Sequence, residues 1–232
     1  MAEDTKQPIL NTDDMARAGV NFGHRISKLH PKMKQYVSGI KNTVHIIDLE
    51  KTAEEFERAL KFISSLVAES KTILFVGTKI QVRAIVKNTA ESCEMPYVVE
   101  RWLGGTITNF ETISKRVQYF KDLEDKKKKG DFEKHTKKER MNIDKEIESL
   151  KIKFGGIRNM AKLPDAVLIM DVRKDATCAR EARRKGIKII GVVDTNIDPT
   201  LVDYPIPAND DAISSIKYIL DKVQETILNA KA

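Results

Sequence analysis

The segment most similar to a catalytic motif is Val76-Gly-Thr-Lys79, which follows an apolar run and precedes a helical pattern. A loop between a strand and a helix can present backbone N–H groups to a phosphate, and a lysine can neutralise it. A Walker loop requires GxxxxGK[ST], however, and here a single glycine precedes Thr-Lys. No GxGxxG dinucleotide fingerprint follows a predicted strand either. A nucleotide-binding α/β enzyme with a site near Gly77-Thr78-Lys79 therefore stays open only as the alternative function.

A second group of polar residues, Asp194-Thr-Asn196-Ile-Asp198, carries side-chain oxygens at alternate positions, as the start of a calcium loop does. The sixth position is Pro199 rather than glycine, and the twelfth is Pro205 rather than glutamate, so the EF-hand interpretation fails. Asp and Asn at such places cap turns after a strand. No histidine stands with a serine or cysteine in a nucleophile arrangement. We therefore expect no catalytic residues, no cofactor and no metal site.

Basic residues interleaved with rings give the clearest chemical signal, and they lie near the start of the chain. Residues 15–47 contain six Lys or Arg and no acid. Cations neutralise phosphates, rings can stack on unpaired bases, and a nearby carboxylate would repel the RNA backbone. A chance gap in a lysine-rich protein is the alternative explanation. The predicted RNA-binding residues here are Arg17, Phe22, His24, Arg25, Lys28, His30, Lys32 and Lys34.

A second basic surface is predicted on a helix near residue 180. Its small residues Ala176, Ala179 and Ala182 share one face, which suits packing on a sheet, so the arginines on the other faces project outward. Such a face can equally be a solvated helix surface. Arg101 stands beside the single tryptophan, whose ring is either core packing or a platform for a base. The predicted RNA-binding residues of this group are Arg101, Arg180, Arg183 and Arg184.

Composition supports a polyanionic partner and excludes several classes of protein. The 232 residues include 41 Lys or Arg against 34 Asp or Glu, which gives a net charge of +7. No apolar run is long enough to span a membrane, and the start of the sequence is polar and acidic, unlike a signal peptide. Cys93 and Cys178 form no CxxC pair, so a disulfide framework or a zinc ribbon is not expected. These features predict a cytoplasmic protein.

Short β-branched runs alternate with helical patterns along most of the chain. Five runs predict buried strands: 44–47, 72–76, 96–99, 166–170 and 187–193. Helical spacing appears at 56–67, 82–93, 176–182 and 213–227, the last following a cap at Asn209-Asp210. Alternation of strands with helices favours an α/β fold whose central parallel sheet is covered by helices on both faces.

One segment interrupts this alternation. Between 106 and 154 no strand pattern occurs, and apolar residues at helical spacing form two narrow seams separated by Lys126-Lys-Lys-Lys-Gly130. Two such helices predict an inserted antiparallel coiled-coil helical hairpin, for which a disordered insertion is the alternative. Gly104-Gly105 and Gly155-Gly156 bracket it as expected hinges. The predicted domains are a core of residues 1–105 and 155–232 and a protruding hairpin of residues 106–154.

A series of short sequence blocks then gives a specific resemblance. The sequence resembles the bacterial-type ribosomal protein S-two family, the second protein of the small ribosomal subunit, along nearly its whole length. One block alone would be weak, but many in the same order are specific. They are Ala18-Gly-Val-Asn-Phe-Gly-His24, Pro31-Lys-Met33, Asn42-Thr-Val-His-Ile-Ile-Asp-Leu-Glu-Lys-Thr52, Ile73-Leu-Phe-Val-Gly-Thr-Lys79, Arg101-Trp-Leu-Gly-Gly-Thr-Ile-Thr-Asn109, Thr136-Lys-Lys-Glu139, Gly155-Gly-Ile157, Leu163-Pro-Asp165, Val193-Asp-Thr-Asn-Ile-Asp-Pro199 and Ile206-Pro-Ala-Asn-Asp-Asp-Ala-Ile213.

The resemblance implies a structural protein of the small ribosomal subunit that binds small-subunit rRNA and is not an enzyme. It also implies a flavodoxin-like αβα sandwich with a protruding helical hairpin. The implied partners are neighbouring small-subunit proteins, including the large mRNA-binding ribosomal protein S-one, with one copy of this chain per ribosome and no membrane. A pure protein-docking scaffold is a third possible function.

The chain departs from the family pattern at three places near its start. Asn21 stands where the family usually has His, Arg25-Ile26 where it has Gln-Thr, and Leu29-His30 where it has Trp-Asn. Stacking by the usual Trp is therefore not expected here. Arg25 and His30 nevertheless keep the segment cationic.

Overall fold

Five strands form a parallel sheet in the order β5-β4-β6-β7-β8. The computed structural model describes residues 10–231, so residues 1–9 and 232 of the predicted core lie outside the described part. The strands are β4 (Ile73–Val76), β5 (Tyr97–Val98), β6 (Ala166–Ile169), β7 (Lys188–Val193) and β8 (Tyr204–Pro207). The first four were predicted. The sequence did not predict β8, because Pro205 and Pro207 argue against a strand, but prolines are tolerated at the edge of a sheet, where β8 lies.

Helices cover both faces of this sheet. The helices are α1 (Thr12–Arg17), α2 (Leu49–Ala68), α3 (Arg83–Ser92), α4 (Phe110–Lys128), α5 (Lys137–Phe154), α6 (Ala176–Arg184) and α7 (Ile213–Lys231). One apolar cluster joins α2, α3 and α7 to one face, with Phe56, Phe75 and Leu168 fully buried. The other cluster joins α4, α5 and α6 to the opposite face through Leu74, Ile169 and neighbouring residues. The result is an α/β architecture in three layers, consistent with a flavodoxin-like fold.

A separate antiparallel sheet holds the predicted strand 44–47, and this corrects the expectation that it belongs to the parallel sheet. Its order is β1 (Phe22–Arg25), β3 (Val44–Ile47), β2 (Val37–Lys41). The two-residue turn between β2 and β3 places Asn42 and Thr43 at φ +50° and +65°, which suits a tight hairpin. Only alternate residues of β3, His45 and Ile47, are buried. Short apolar runs look alike whether one face or both are covered, so the sequence did not separate the two cases.

The helices α4 and α5 lie in the predicted insertion. They contact each other: the hydroxyl of Tyr119 donates to Glu146 at 3.0 Å, and Lys127 pairs with Asp144 at 2.7 Å. Thr136 begins α5 with a capping box to Glu139. Supercoiling of the pair stays a prediction.

Two of the four glycines at the base of the insertion are required by the local backbone. Gly105 adopts φ +93°, which glycine tolerates and other residues rarely do. A Cβ at Gly156 would overlap the backbone carbonyl of Tyr97. Gly105 is therefore required by a turn and Gly156 by a close approach of two backbones, while hinge motion at the two pairs stays a prediction.

Candidate nucleic-acid interface

Four predicted cations are exposed and have no hydrogen-bond or ion-pair partner among the described residues. They are Arg25, Lys28 and Lys34 of residues 15–47, called the N-terminal segment below, and Arg101 before α4. Arg25 ends β1, and Lys28 and Lys34 lie in two short 3₁₀ helices, Ile26–Lys28 and Pro31–Tyr36. Exposed ammonium and guanidinium groups without internal partners can exchange their counterions for RNA phosphates.

Two other candidates fasten the N-terminal segment to the loop after β7. His24 Nδ1 lies 3.1 Å from Oδ2 of Asp194, and the backbone N–H of His24 donates to Thr195 Oγ1 at 2.8 Å. The hydrogen bond with Asp194 raises the pKa of His24 above its usual value, although burial opposes this. Lys32 Nζ donates to Asp198 Oδ2 at 2.8 Å and to Thr200 Oγ1 at 2.9 Å. The sequence marks both residues as RNA contacts, whereas their contacts here are within the protein.

The remaining candidates of this segment are partly available. Arg17 is exposed and lies 3.6 Å from Asp14. Phe22 is 46% exposed, which leaves a ring edge free for stacking. The ring Nδ1 of His30 accepts from the backbone N–H of Lys32 and so caps a 3₁₀ helix. These three side chains lie in the same stretch of sequence as the exposed cations Arg25, Lys28 and Lys34.

The helix α6 presents its arginines outward, as predicted. Arg180, Arg183 and Arg184 are exposed, whereas Ala179 and Ala182 are buried on the sheet. The guanidinium of Arg183 donates to the carbonyl of Thr200 at 2.6 Å, and that of Arg180 donates to Thr177 Oγ1 at 3.2 Å. Trp102 is 8% exposed, and its indole N–H donates to Glu181. Of the two explanations for the tryptophan, core packing is therefore confirmed.

An acidic cluster lies at the carboxyl ends of the parallel strands and consists of Asp171, Asp175, Asp194, Asp210 and Asp211. It contacts Thr78 and Lys79 of the segment that resembles a phosphate-binding loop. Thr78, after β4, donates its hydroxyl to Asp175 Oδ1 at 2.8 Å. Lys79 Nζ contacts Asp210 Oδ1 at 3.0 Å, Asp211 Oδ1 at 2.5 Å and Asp171 Oδ2 at 3.5 Å. In a phosphate site these groups would face phosphate oxygens, but here they face carboxylates. A nucleotide phosphate at this edge would have to displace these carboxylates from Thr78 and Lys79.

Burial and crowding shift the pKa values within this acidic cluster. Burial, with Asp171 and Asp194 close by, raises the pKa of Asp210 to about 7. Burial alone lowers the pKa of Lys79, but its contacts with Asp211 and Asp210 outweigh that effect and raise it. Donor atoms of His24, Asp194 and Asp210 lie within 4.8 Å of one another, a spacing that could hold a metal ion. The sequence did not predict this cluster, because its acids are spread over the loops after β6, β7 and β8 and His24 lies in β1.

The sequence candidates also include no residue from the tip of α4 and α5, where the densest group of free cations lies. Seven exposed bases there have no ion-pair partner among residues 10–231. The run Lys126–Lys129 was the available signal. The seven are Lys126, Lys128, Lys129, Lys134, Lys137, Lys138 and Arg140.

Within residues 10–231, none of the helices is both long and apolar enough to cross a membrane.

Comparison with known proteins identifies the family. The family model described as ribosomal protein S2 matches residues 15–230. The chain is similar to the small ribosomal subunit protein uS2 of Dictyoglomus thermophilum, with 46% identity over 217 residues, which cover 94% of this chain and 88% of that protein. Proteins of this family are structural components of the small ribosomal subunit and not enzymes. The chain belongs to the ribosomal protein S2 family.

Proposed function

We propose that this protein is a cytoplasmic structural component of the small ribosomal subunit that binds the backbone of small-subunit rRNA and helps to dock neighbouring proteins. The observation that carries the proposal is the set of exposed cations without internal partners on the N-terminal segment and at the α4–α5 tip, together with the exposed arginines of α6. Backbone contacts of this kind are strong, salt-sensitive and nearly independent of base sequence.

Docking of other proteins is assigned to the acidic cluster at the carboxyl ends of the strands. Asp211 is 63% exposed there, beside the buried Asp194 and Asp210. A surface of this sign repels phosphates and attracts basic protein segments. The proposed partners remain neighbouring small-subunit proteins, including the large mRNA-binding ribosomal protein S-one, with one copy of this chain per ribosome.

The division into domains supports the same function. We propose that residues 106–154 form a protruding coiled-coil hairpin and that residues 1–105 and 155–232 form the core. The buried residues Val117, Phe120 and Ile147 continue the apolar cluster of the core along the base of the helices. The far ends of the helices carry charge instead, which suits contact with RNA away from the core.

The nucleotide-binding alternative has no comparable support. The groups that would cradle a phosphate, Thr78 and Lys79, already contact Asp175, Asp210 and Asp211. Equilibrium dialysis with labelled nucleotides is therefore expected to show no saturable binding in the micromolar range. Saturable binding that is lost in K79A would favour the enzyme instead.

The RNA-binding proposal predicts that reversing the free cations of the N-terminal segment prevents assembly. In R25E/K28E/K34E, three contacts with phosphates become three repulsions, so we expect occupancy in purified small subunits to fall about tenfold or more. Lys32 is left unchanged because it holds Asp198. Quantitative mass spectrometry of the subunits measures the occupancy.

A matched control keeps the same change in total charge. K61E/K162E/K217E alters three exposed lysines on other surfaces and should be incorporated normally. Circular dichroism of both purified variants checks that they fold. Normal occupancy of the folded R25E/K28E/K34E variant would contradict a role for this segment in RNA binding.

A further inference from the structure

A single acid lies among the three arginines of α6. The helix α6 has the sequence Ala-Thr-Cys-Ala-Arg-Glu-Ala-Arg-Arg, and its one carboxylate belongs to Glu181. This side chain is 6% exposed, whereas the arginines on either side of it are exposed. An acid placed there to pair with the arginines would lie at the surface, so its burial calls for another explanation.

The carboxylate of Glu181 accepts five hydrogen bonds from one short segment of chain. Oε1 accepts from the indole N–H of Trp102 at 3.0 Å and from the backbone N–H of Gly105 at 2.8 Å. Oε2 accepts from the backbone N–H groups of Ile107 and Thr108 and from the hydroxyl of Thr108, each at 3.0 Å. The two oxygens have about four lone-pair positions, so the acceptor capacity of this group is fully used.

These bonds keep the buried group charged. Burial alone raises the pKa of Glu181, but the hydrogen bonds from Trp102, Thr108, Gly105 and Ile107 outweigh it and lower the pKa below its usual value. An ionised carboxylate holds N–H donors more strongly than a neutral acceptor does. The ionised carboxylate of Glu181 therefore holds residues 102–108, and it forms no ion pair with another side chain among the described residues.

Besides Glu181, the burial of Trp102 and Ile107 in the apolar cluster of α4, α5 and α6 holds the segment 102–109. Its other hydrogen bonds among the described residues are local, such as Thr106 N–H to the carbonyl of Leu103 and Asn109 N–H to that of Gly105. The helix α4 begins at the next residue, Phe110. Glu181 therefore holds the chain immediately before α4 begins.

Contacts also fix the end of the insertion that follows α5. Gly156, two residues after α5, packs directly on the backbone of Tyr97. Arg158 forms a 2.7 Å ion pair with Glu124 of α4, and its guanidinium lies 5.8 Å from the ring centroid of Phe120. Contacts therefore hold the chain at both ends of the insertion.

We propose that Glu181 is a positioning residue that sets the orientation of α4 and α5 relative to the core. It thereby places the cations at the α4–α5 tip at a fixed distance from Arg180, Arg183 and Arg184 of α6. The consequence for RNA rests on the proposed function: both surfaces then engage one RNA molecule together, and the second contact benefits from the first.

The expected displacement is large enough to measure. The 19 residues of α4 span about 28 Å, so a rotation of about 10° at its base moves the tip by about 5 Å. Spin labels on K134C at the tip and D221C on α7 report the distance between the tip and the core. Both native cysteines are buried and are therefore protected from labelling.

The test substitution is E181Q, because a glutamine amide has one acceptor oxygen and an NH₂ group that cannot accept from the N–H groups it would face. We expect a narrow distance distribution in the parent protein and a broad one, displaced by about 5 Å, in E181Q. E111Q makes the same chemical change at an exposed residue of α4 and should leave the distribution unchanged. A folded E181Q with an unchanged distribution overturns the proposal.

A second variant keeps the test decisive if E181Q does not fold. W102F/T108V removes the two side-chain donors and leaves the three backbone donors, so a smaller broadening is expected. An unchanged distribution in that folded variant overturns the proposal equally.

An RNA measurement separates positioning from mere stabilisation. The affinity of E181Q for a small-subunit rRNA fragment should fall about tenfold, and its logarithm should depend less steeply on salt, because the tip and α6 no longer bind together. A loss of stability alone would leave the salt slope of the folded protein unchanged, and that result also counts against positioning. If the parent protein failed to bind the fragment, the proposed function would fail, while the distance measurement would still decide the role of Glu181.

Discussion

At the scale of single residues, the acidic cluster around Lys79 shows how burial decides the role of a side chain. Asp210 is 5% exposed and lies near Asp171 and Asp194, so its ionised form is disfavoured despite the contact with Lys79. A motif such as Gly-Thr-Lys describes the residues that could bind a phosphate. The three-dimensional neighbours, which come from other loops, decide whether a phosphate can bind there.

Asp210 also predicts a pH dependence of stability. Its pKa is about 7 in the fold against an ordinary value of 3.8, so between these values the native state binds more protons than the unfolded state and stability falls as pH rises. Asn has no proton to lose, so D210N should reduce this decline, by up to about 1.4 kcal/mol per pH unit. Urea unfolding at pH 5, 6 and 7 measures it.

An exposed residue provides the comparison for Asp210. D221N changes an aspartate on the outer face of α7 and should leave the pH dependence as in the parent protein. Equal slopes for D210N and the parent would show that Asp210 does not titrate in this range.

At the scale of elements, residue spacing predicted most of the architecture. The apolar stripe of α2 and the β-branched runs of β4, β6 and β7 depend on local sequence and buried faces, and they were found where expected. Which sheet β3 joins depends on the strands that pair with it, β1 and β2, and no local sequence pattern specifies that pairing. Site residues followed the same rule: exposure of the α6 arginines was predictable from its alanine stripe, whereas the internal partners of His24 and Lys32 were not.

The close approach at Gly156 gives a prediction for the base of α5. In G156A the new methyl group would overlap the carbonyl of Tyr97, so the backbone must shift, and we expect a loss of about 3 kcal/mol in the free energy of unfolding. Chemical denaturation followed by circular dichroism measures the loss.

The other glycine pair supplies the matched variant. A methyl group on Gly104 would have no neighbouring atom within 4 Å, so G104A should change stability by less than about 0.5 kcal/mol. Similar losses in G104A and G156A would mean that flexibility, and not the contact with Tyr97, requires glycine at these sites.

At the scale of the whole molecule, the net charge of +7 is distributed among separate surfaces. The tip of α4 and α5, the N-terminal segment and α6 carry exposed cations, while carboxylates gather at the ends of the strands. Total charge therefore understates the attraction that each basic surface exerts on RNA, because screening limits each interaction to its own neighbourhood.

The salt dependence of RNA binding tests this distribution. Each phosphate contact contributes about 0.7 to 0.9 to the slope of log affinity against log salt concentration. Replacing Lys126, Lys128, Lys129 and Lys134 by Gln should therefore make the slope shallower by about 3. Fluorescence anisotropy with a small-subunit rRNA fragment over a series of KCl concentrations measures it.

The same number of lysines elsewhere serves as the reference. Substituting Gln at Lys61, Lys87, Lys162 and Lys217 removes an equal charge from other surfaces and should leave the slope nearly unchanged. Equal slopes of log affinity against log salt concentration for the tip variant and the parent protein would show that the tip does not contact the RNA.

The pairing of β4 with β6 has a consequence for how the chain folds. Ile73 pairs with Ala166, and the whole α4–α5 insertion lies between them. Closing a long loop costs entropy before any contact repays it, and such pairings are slow. The two helices of the insertion contact each other locally and can form first, which brings residues 109 and 155 together and shortens the loop that remains. The insertion is thus expected to raise the folding rate of the sheet, in addition to providing a basic surface.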